Sequence, residues 1–296
     1  AEGDLLDYGL GDWITFDPST PVGVTATFGY HRAATALARI AEVIGEDADA
    51  SRYTALAARI GDAFNAKYLK ENTYGSGSQA CDALALDMGI VPADRRQAVL
   101  DHLIGSIRDK GYHLTVGEIA LPSVFRVLSA AGRDDIVYAV ATQTTSPSYG
   151  YQVVHGATAL TENWDGPTSG NSQNHFMLGA IDEWFAAGLA GLGQADDSVA
   201  YRKLLIRPAV VGDLTSAGAD HQTPFGKASS SWRRTGTTLR LDVTVPPGAT
   251  ARVEVPLLGG TKRPDATKGA RWTGVRNGRG IFEVGSGTWT FEVSRR

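Results

Sequence analysis

Glu162, Trp164 and Asp165 fall within four consecutive residues, Glu162-Asn163-Trp164-Asp165, between an apolar run and a loop rich in Gly, Pro and Ser. Two carboxylates flanking an indole suit carbohydrate chemistry. The ring face stacks on the C–H face of a pyranose, and a carboxylate either activates a water molecule or binds hydroxyls. A second reading stays open on local spacing alone: Glu162 and Asp165 cap the next element and Trp164 fills a core. The loop Gly166 to Asn171 then delivers Asn174-His175 to the start of an apolar run that reads as a helix. Free N–H groups at such a start, together with the imidazole, offer partners to a sugar hydroxyl. A core histidine satisfied by its neighbours is the alternative.

Two further patches carry the same residue types. Gly11-Asp12-Trp13 sets an acid beside an aromatic in a Gly-rich loop; taken alone, it reads as a buried Trp with a turn Asp. Thr115-Val116-Gly117-Glu118 follows His113 and reads first as a helix start of the capping-box kind. Other chemistries find no support. The chain has no HExxH, GxSxG, Walker loop or GxGxxG after a strand. His31, His102, His113, His155, His175 and His221 show no ligand spacing, so neither a metal nor a cofactor is expected. The net charge of -4 gives no basic footprint for nucleic acid, and no run of 18 apolar residues suggests a membrane span. The single cysteine, Cys81, excludes an internal disulfide framework and reads as a buried small hydrophobe.

The elements that must position these residues change character along the 296 residues. Apolar residues at helical spacing predict helices over Pro21–Ile44, about 48–70, about 78–88, from Pro92 to Gly111, over 121–131 and 134–142, and again after His175 through Phe176, Leu178, Ile181, Trp184, Phe185 and Leu189. Compact Gly and Pro turns join them, as in stacked antiparallel helical hairpins, and the lack of a fixed repeat favours a toroid over a solenoid. The texture changes near Gly193. Leu239–Val245, Ala251–Val255 and Trp289–Val293 alternate apolar with polar between Gly and Pro turns, the pattern of an antiparallel sandwich. Along 239–245 the odd-numbered residues are expected inside. The expected domains are 1–195 and 196–296. The chain opens at Ala1-Glu2-Gly3-Asp4 without an initiator Met, which reads as a fragment or a processed chain and leaves its compartment unread.

Taken together, Gly11-Asp12-Trp13, Pro147-Ser148-Tyr149-Gly150-Tyr151, Gly156-Ala157-Thr158, Glu162-Asn163-Trp164-Asp165-Gly166 and Ser172-Gln173-Asn174-His175, with Gly179 and Trp184, resemble the bacterial α-L-rhamnosidases of glycoside hydrolase family 78. Order, approximate spacing and the change of texture fit over essentially the whole chain. The resemblance implies part of an (α/α)6 toroid followed by an antiparallel β-sandwich, and inverting hydrolysis of terminal α-L-rhamnosides. It places Glu162 on the family's general base, Trp13 on a sugar-stacking tryptophan and His175 on a substrate-binding histidine. Asp12, Glu118, Trp164 and Asp165 complete the expected substrate-binding set.

One departure is large. The family's general acid is a Glu in an Asp-Glu-Arg-x-Gly-Trp type motif ahead of the Gly-Asp-Trp loop, and this sequence contains no such motif. It starts about where the second half of the toroid would start. The expected partners are therefore a rhamnose-containing glycoside or polysaccharide and a second polypeptide, or an N-terminal fragment, that completes the toroid and brings the acid. A non-catalytic carbohydrate-binding protein on the same fold is the competing expectation. The loop at Glu118 is usually more neutral in the family, and only nine residues separate Asp165 from His175.

Overall fold

The computed structural model describes residues 3–260 and 262–294. Ala1 and Glu2, in the opening stretch noted above, lie outside the described residues. The chain divides into two compact units, Ala1–Ala180 and Ile181–Arg296.

In the first unit, among the described residues, three helical hairpins follow one another: α1 (Val22–Ile44) with α2 (Asp47–Tyr68), α3 (Gln79–Met88) with α4 (Arg96–Asp109), and α5 (Leu121–Ala130) with α6 (Asp134–Ala141). A small hairpin, β1 (Leu69–Lys70) with β2 (Thr73–Tyr74), precedes α3. Each first helix packs on its own partner, and α3 packs between α1 and α5. Helices α1, α3 and α5 thus form one layer, each backed by its even-numbered partner, the layering of an α/α toroid. Burial follows the helical period that the sequence shows: Ile60 and Phe64 on α2, Leu103 and Ile107 on α4, Val124 and Leu128 on α5 are all buried. The fourth helix starts at Arg96 and not at Pro92; a turn precedes it, in which the Pro92 carbonyl accepts from both Arg95 and Arg96 N–H.

This layering puts the segments that lead into α1, α3, α5 and α7 (Tyr149–Val154) at a common end, where polar bonds stitch them together. Thr20 Oγ1 meets Ser78 Oγ at 2.7 Å. Gln79 donates to His113 O and accepts from Thr115 N–H, and His113 Nε2 reaches the Thr145 hydroxyl at 2.8 Å. Ser78 also caps α3 by accepting from Cys81 N–H. Ser78→Ala is expected to cost about 1 kcal/mol, the usual value of an N-cap side chain, read as a shifted denaturant midpoint with an unchanged slope.

The run after His175 is not one helix. It breaks into a 3-10 turn at Met177–Ala180, a short α9 (Ile181–Glu183) and a π-helical turn at Trp184–Leu189. Gly188 explains the π turn: a Cβ there would lie 2.3 Å from the Trp184 ring, so a glycine lets the buried indole press against the backbone one turn later.

The second unit is a sandwich of two five-stranded sheets among the described residues. One has the order β10 (Arg271–Arg276), β11 (Arg279–Val284), β8 (Thr250–Pro256), β4 (Lys203–Ile206), β3 (Leu192–Gln194). The other runs β5 (Ser216–Thr223), β6 (Gly226–Thr235), β7 (Thr238–Val245), β12 (Gly287–Ser294), β9 (Asp265–Ala266). Leu239, Leu241, Val243 and Val245 face a core shared with Val253, Phe282 and Phe291, while Arg240, Asp242 and Thr244 stay outside it. The sheets are antiparallel with one exception: β4 pairs parallel with β8. Between those strands the chain builds β5, β6 and β7 of the other sheet, and an excursion of that length permits a parallel return.

Candidate active site

The site lies in the first unit and begins with Asp12. This carboxylate is 4 % exposed. One oxygen accepts from Gly117 N–H at 2.7 Å and the other from Ile119 and Ala120 N–H at 3.1 and 3.0 Å. It therefore satisfies orphan donors at the start of α5, where Ala120 provides no side-chain cap. Burial pushes its carboxyl up and the three N–H groups pull it back in part. This corrects the expectation that Asp12 binds substrate: its oxygens are taken by backbone. The capping role expected at Glu118 belongs to Asp12.

With the 117–120 segment clamped, Glu118 N–H donates to Trp13 O at 2.8 Å. Trp13 is 45 % exposed, so it stays partly open to solvent. The Glu118 side chain is 7 % exposed and its Oε1 stands 3.3 Å from His175 Nε2. Burial lifts Glu118 above the ordinary carboxylate range; His175 opposes the shift, and the negative charges of Glu162 and Asp12 add to it.

The Glu162 loop and the His175 segment form one bridge. Glu162 N–H donates to Ser172 O at 2.9 Å, and His175 N–H donates to Leu160 O at 2.8 Å. His175 thus sits on a loop bridge, not at the start of a long helix as its apolar surroundings suggest, and its N–H is spent. Beneath Glu162, Thr161 is fully buried: its N–H donates to Gln152 Oε1 and its hydroxyl to Asn163 O. Glu162 itself is half-buried, and its carboxylate forms no hydrogen bond or ion pair among the described residues.

Trp164 does not face a ligand. It is 2 % exposed and meets Tyr149 edge-on, with centroids 4.9 Å apart and planes at 84°. Tyr149 in turn donates to Leu178 O and packs on Phe125. The substrate-stacking expectation for Trp164 is corrected: the indole is the floor that carries the Glu162 loop, and the core reading of its local spacing holds. Asp165 opens the short α8 (Gly166–Ser169), its carbonyl accepting from Thr168 and Ser169 N–H. Its side chain makes no capping bond.

The structure therefore brings together Trp13, Glu118, His175 and Glu162. It leaves Asp12 and Trp164 as supports behind them. Gln152 and Thr161, which also support the loop, were not singled out from the sequence. Thr161 had a signal, a hydroxyl two residues before the Asn163 carbonyl it meets in a tight turn; Gln152 had none. Among the described residues no group of three or more His, Cys, Asp or Glu side chains could hold a metal, and no helix is long and apolar enough to cross a membrane. What remains is the unpartnered Glu162 carboxylate, the partly exposed Trp13 and the His175 imidazole 3.3 Å from the buried Glu118 carboxylate.

Known proteins share this arrangement of chain. The family profile described as the bacterial alpha-L-rhamnosidase 6 hairpin glycosidase domain matches residues 1–189, and that of the bacterial alpha-L-rhamnosidase C-terminal domain matches residues 191–270. An alpha-L-rhamnosidase of Streptomyces avermitilis is 36 % identical over 96 % of this chain and 28 % of its own length. The crystal structure of Streptomyces avermitilis alpha-L-rhamnosidase complexed with L-rhamnose superposes with a TM-score of 0.93 at 33 % identity, over 99 % of this chain and 29 % of that one. The alpha-L-rhamnosidase of Dictyoglumus thermophilum superposes with a TM-score of 0.86 at 32 % identity, over 97 % of this chain and 34 % of that one. The chain thus spans about a third or less of the length of these proteins. The first profile alone covers well over half of its residues, and the chain belongs to the bacterial α-L-rhamnosidases of the six-hairpin glycosidase type.

Proposed function

We propose that this chain supplies the base side of an inverting α-L-rhamnosidase that releases terminal rhamnose from rhamnosides. Glu162 takes the proton of the attacking water, Trp13 stacks on the sugar ring, and His175 binds a hydroxyl with Glu118 behind it. Asp165 completes the wall beside Glu162. The observation that carries this reading is the partnerless, half-buried Glu162 carboxylate on a loop bonded to the His175 segment. A general base needs a carboxylate with room for water and no competing donor. Inversion further needs a second carboxyl group at about 6.5–9.5 Å, which protonates the leaving oxygen. Asp12 is bound to three N–H groups and Glu118 is engaged with His175. We therefore place the acid outside this sequence, in a part of the protein that completes the toroid. Support for the substrate comes from the S. avermitilis relative, whose structure is described as complexed with L-rhamnose.

The test is turnover of an aryl α-L-rhamnoside. A protein that joins this chain to the completing part is expected to release the aglycone and, by NMR of the fresh product, rhamnose of inverted anomeric configuration. The chain alone is expected to bind L-rhamnose without turnover. Aglycone release by the chain alone would move the acid into it, with Glu118 the first suspect. Absence of rhamnose binding in both preparations overturns the reading. In the active protein, Trp13→Ala is expected to raise KM about tenfold through loss of the stacking face, with a smaller effect on kcat; steady-state kinetics check it.

A further inference from the structure

Two rigid frames deliver Glu118 and His175 to each other. On one side Asp12 pins the N–H groups of Gly117, Ile119 and Ala120, and Glu118 N–H bonds to Trp13 O. On the other, His175 N–H bonds to Leu160 O, and its ring lies parallel to that of Phe176, with centroids 5.7 Å apart and planes at 4°. The contact they make is specific to one nitrogen: Nε2 is 3.3 Å from Glu118 Oε1. That oxygen is buried and has no hydrogen-bond partner, so the pair is in range for attraction while the ring sits slightly off the line of a hydrogen bond. A small ring rotation closes it.

A neutral imidazole carries one N–H and one lone pair, and the group facing one nitrogen decides the role of the other. A carboxylate only accepts. Facing Nε2, it selects the proton there and leaves Nδ1 with the lone pair. We propose that Glu118 is a positioning residue that selects the Nε2–H tautomer of His175, so that His175 meets its ligand as a hydrogen-bond acceptor at Nδ1. The ligand group is then a donor, which a sugar hydroxyl is and its O-methyl ether is not. This rests on the function proposed above only in naming the ligand a sugar; the tautomer stands on the geometry alone.

The experiment is long-range ¹H–¹⁵N NMR of the whole chain, labelled at histidine, at alkaline pH. His175→Gln identifies the His175 signal by its disappearance. Wild-type protein is expected to show Nε2–H as the major form. In Glu118→Gln the amide accepts more weakly and can also donate, so the ratio is expected to move towards Nδ1–H by about tenfold, the worth of one charged hydrogen bond. Nδ1–H as the major form in wild type, or a ratio unmoved in Glu118→Gln, overturns the proposal. Should that variant fail to fold, Glu118→Asp, whose shorter side chain draws the carboxylate back from Nε2, is expected to move the ratio the same way, and an unmoved ratio there overturns the proposal. If the joined protein hydrolyses no rhamnoside while the tautomer ratio still moves in Glu118→Gln, the function proposed above falls and the role of Glu118 stands.

Discussion

Glu162→Gln is expected to lower kcat by about 10²–10⁴-fold, the usual worth of a general base, while the fold stays intact. The substitution keeps the shape of the side chain and removes its ability to take a proton from water. What holds the loop is all backbone or neighbouring side chain. Glu162 N–H bonds to Ser172 O, Thr161 bonds to Gln152 and to Asn163 O, and Trp164 is wedged against Tyr149. None of these involves the Glu162 carboxylate, so the melting temperature is expected to stay near that of wild type. Substrate affinity is expected to hold, because Trp13 and His175 remain. The measurement is kcat for an aryl α-L-rhamnoside in the turnover-competent protein, beside a thermal melt of each form. A variant within about threefold of wild-type kcat sinks the assignment, since no general base is worth so little. A variant that melts early leaves Glu162 with a structural role that its lack of partners does not suggest, and sinks it equally.

The limits of legibility at this site are physical. Strand β7 could be read directly, because period-two alternation over Leu239–Val245 states which side is dry. The helical hairpins were legible for the same reason at period 3.6. Trp164 was not, because a local pattern places an indole beside two acids without saying which wall it meets. That wall is Tyr149, fifteen residues earlier at the start of α7. Asp12 was misread for a subtler reason. The start of α5 at Ala120 carries no Ser, Thr, Asp or Asn to take its free N–H groups, so some distant acceptor was owed to it. That debt was visible in the sequence, and its creditor, more than a hundred residues away, was not. The run after His175 kept its apolar period but lost its regular helix; within it Gly188 lets the chain widen to a π turn around the Trp184 ring. The parallel β4–β8 pair is a purely non-local choice.

Gly117→Ala is expected to unseat the site from behind, with a large loss of stability. A Cβ at Gly117 would lie 2.1 Å from Trp13 O and 2.6 Å from Asp12 O. Both are backbone atoms, so no side-chain rotation relieves the clash, and the 11–13 segment must move away. Moving it breaks the three Asp12 bonds to Gly117, Ile119 and Ala120. Each buried N–H left without an acceptor costs about 1–3 kcal/mol, so the sum is on the order of 3–9 kcal/mol against a total stability of roughly 5–15 kcal/mol. Trp13 moves with its carbonyl, and rhamnose binding is expected to fall with the stability. Gly105→Ala, within α4, makes the control: nothing lies within 4 Å of a Cβ there, and replacing a mid-helix glycine is expected to stabilise by about 0.5–1 kcal/mol. The same chemical change thus acquires opposite signs at two glycines, one facing a carbonyl and one facing open space. Denaturant titration of both variants and wild type reads the difference. If Gly117→Ala costs no more than Gly105→Ala, the clamp that Asp12 holds on the 117–120 segment is not what keeps Trp13 in place.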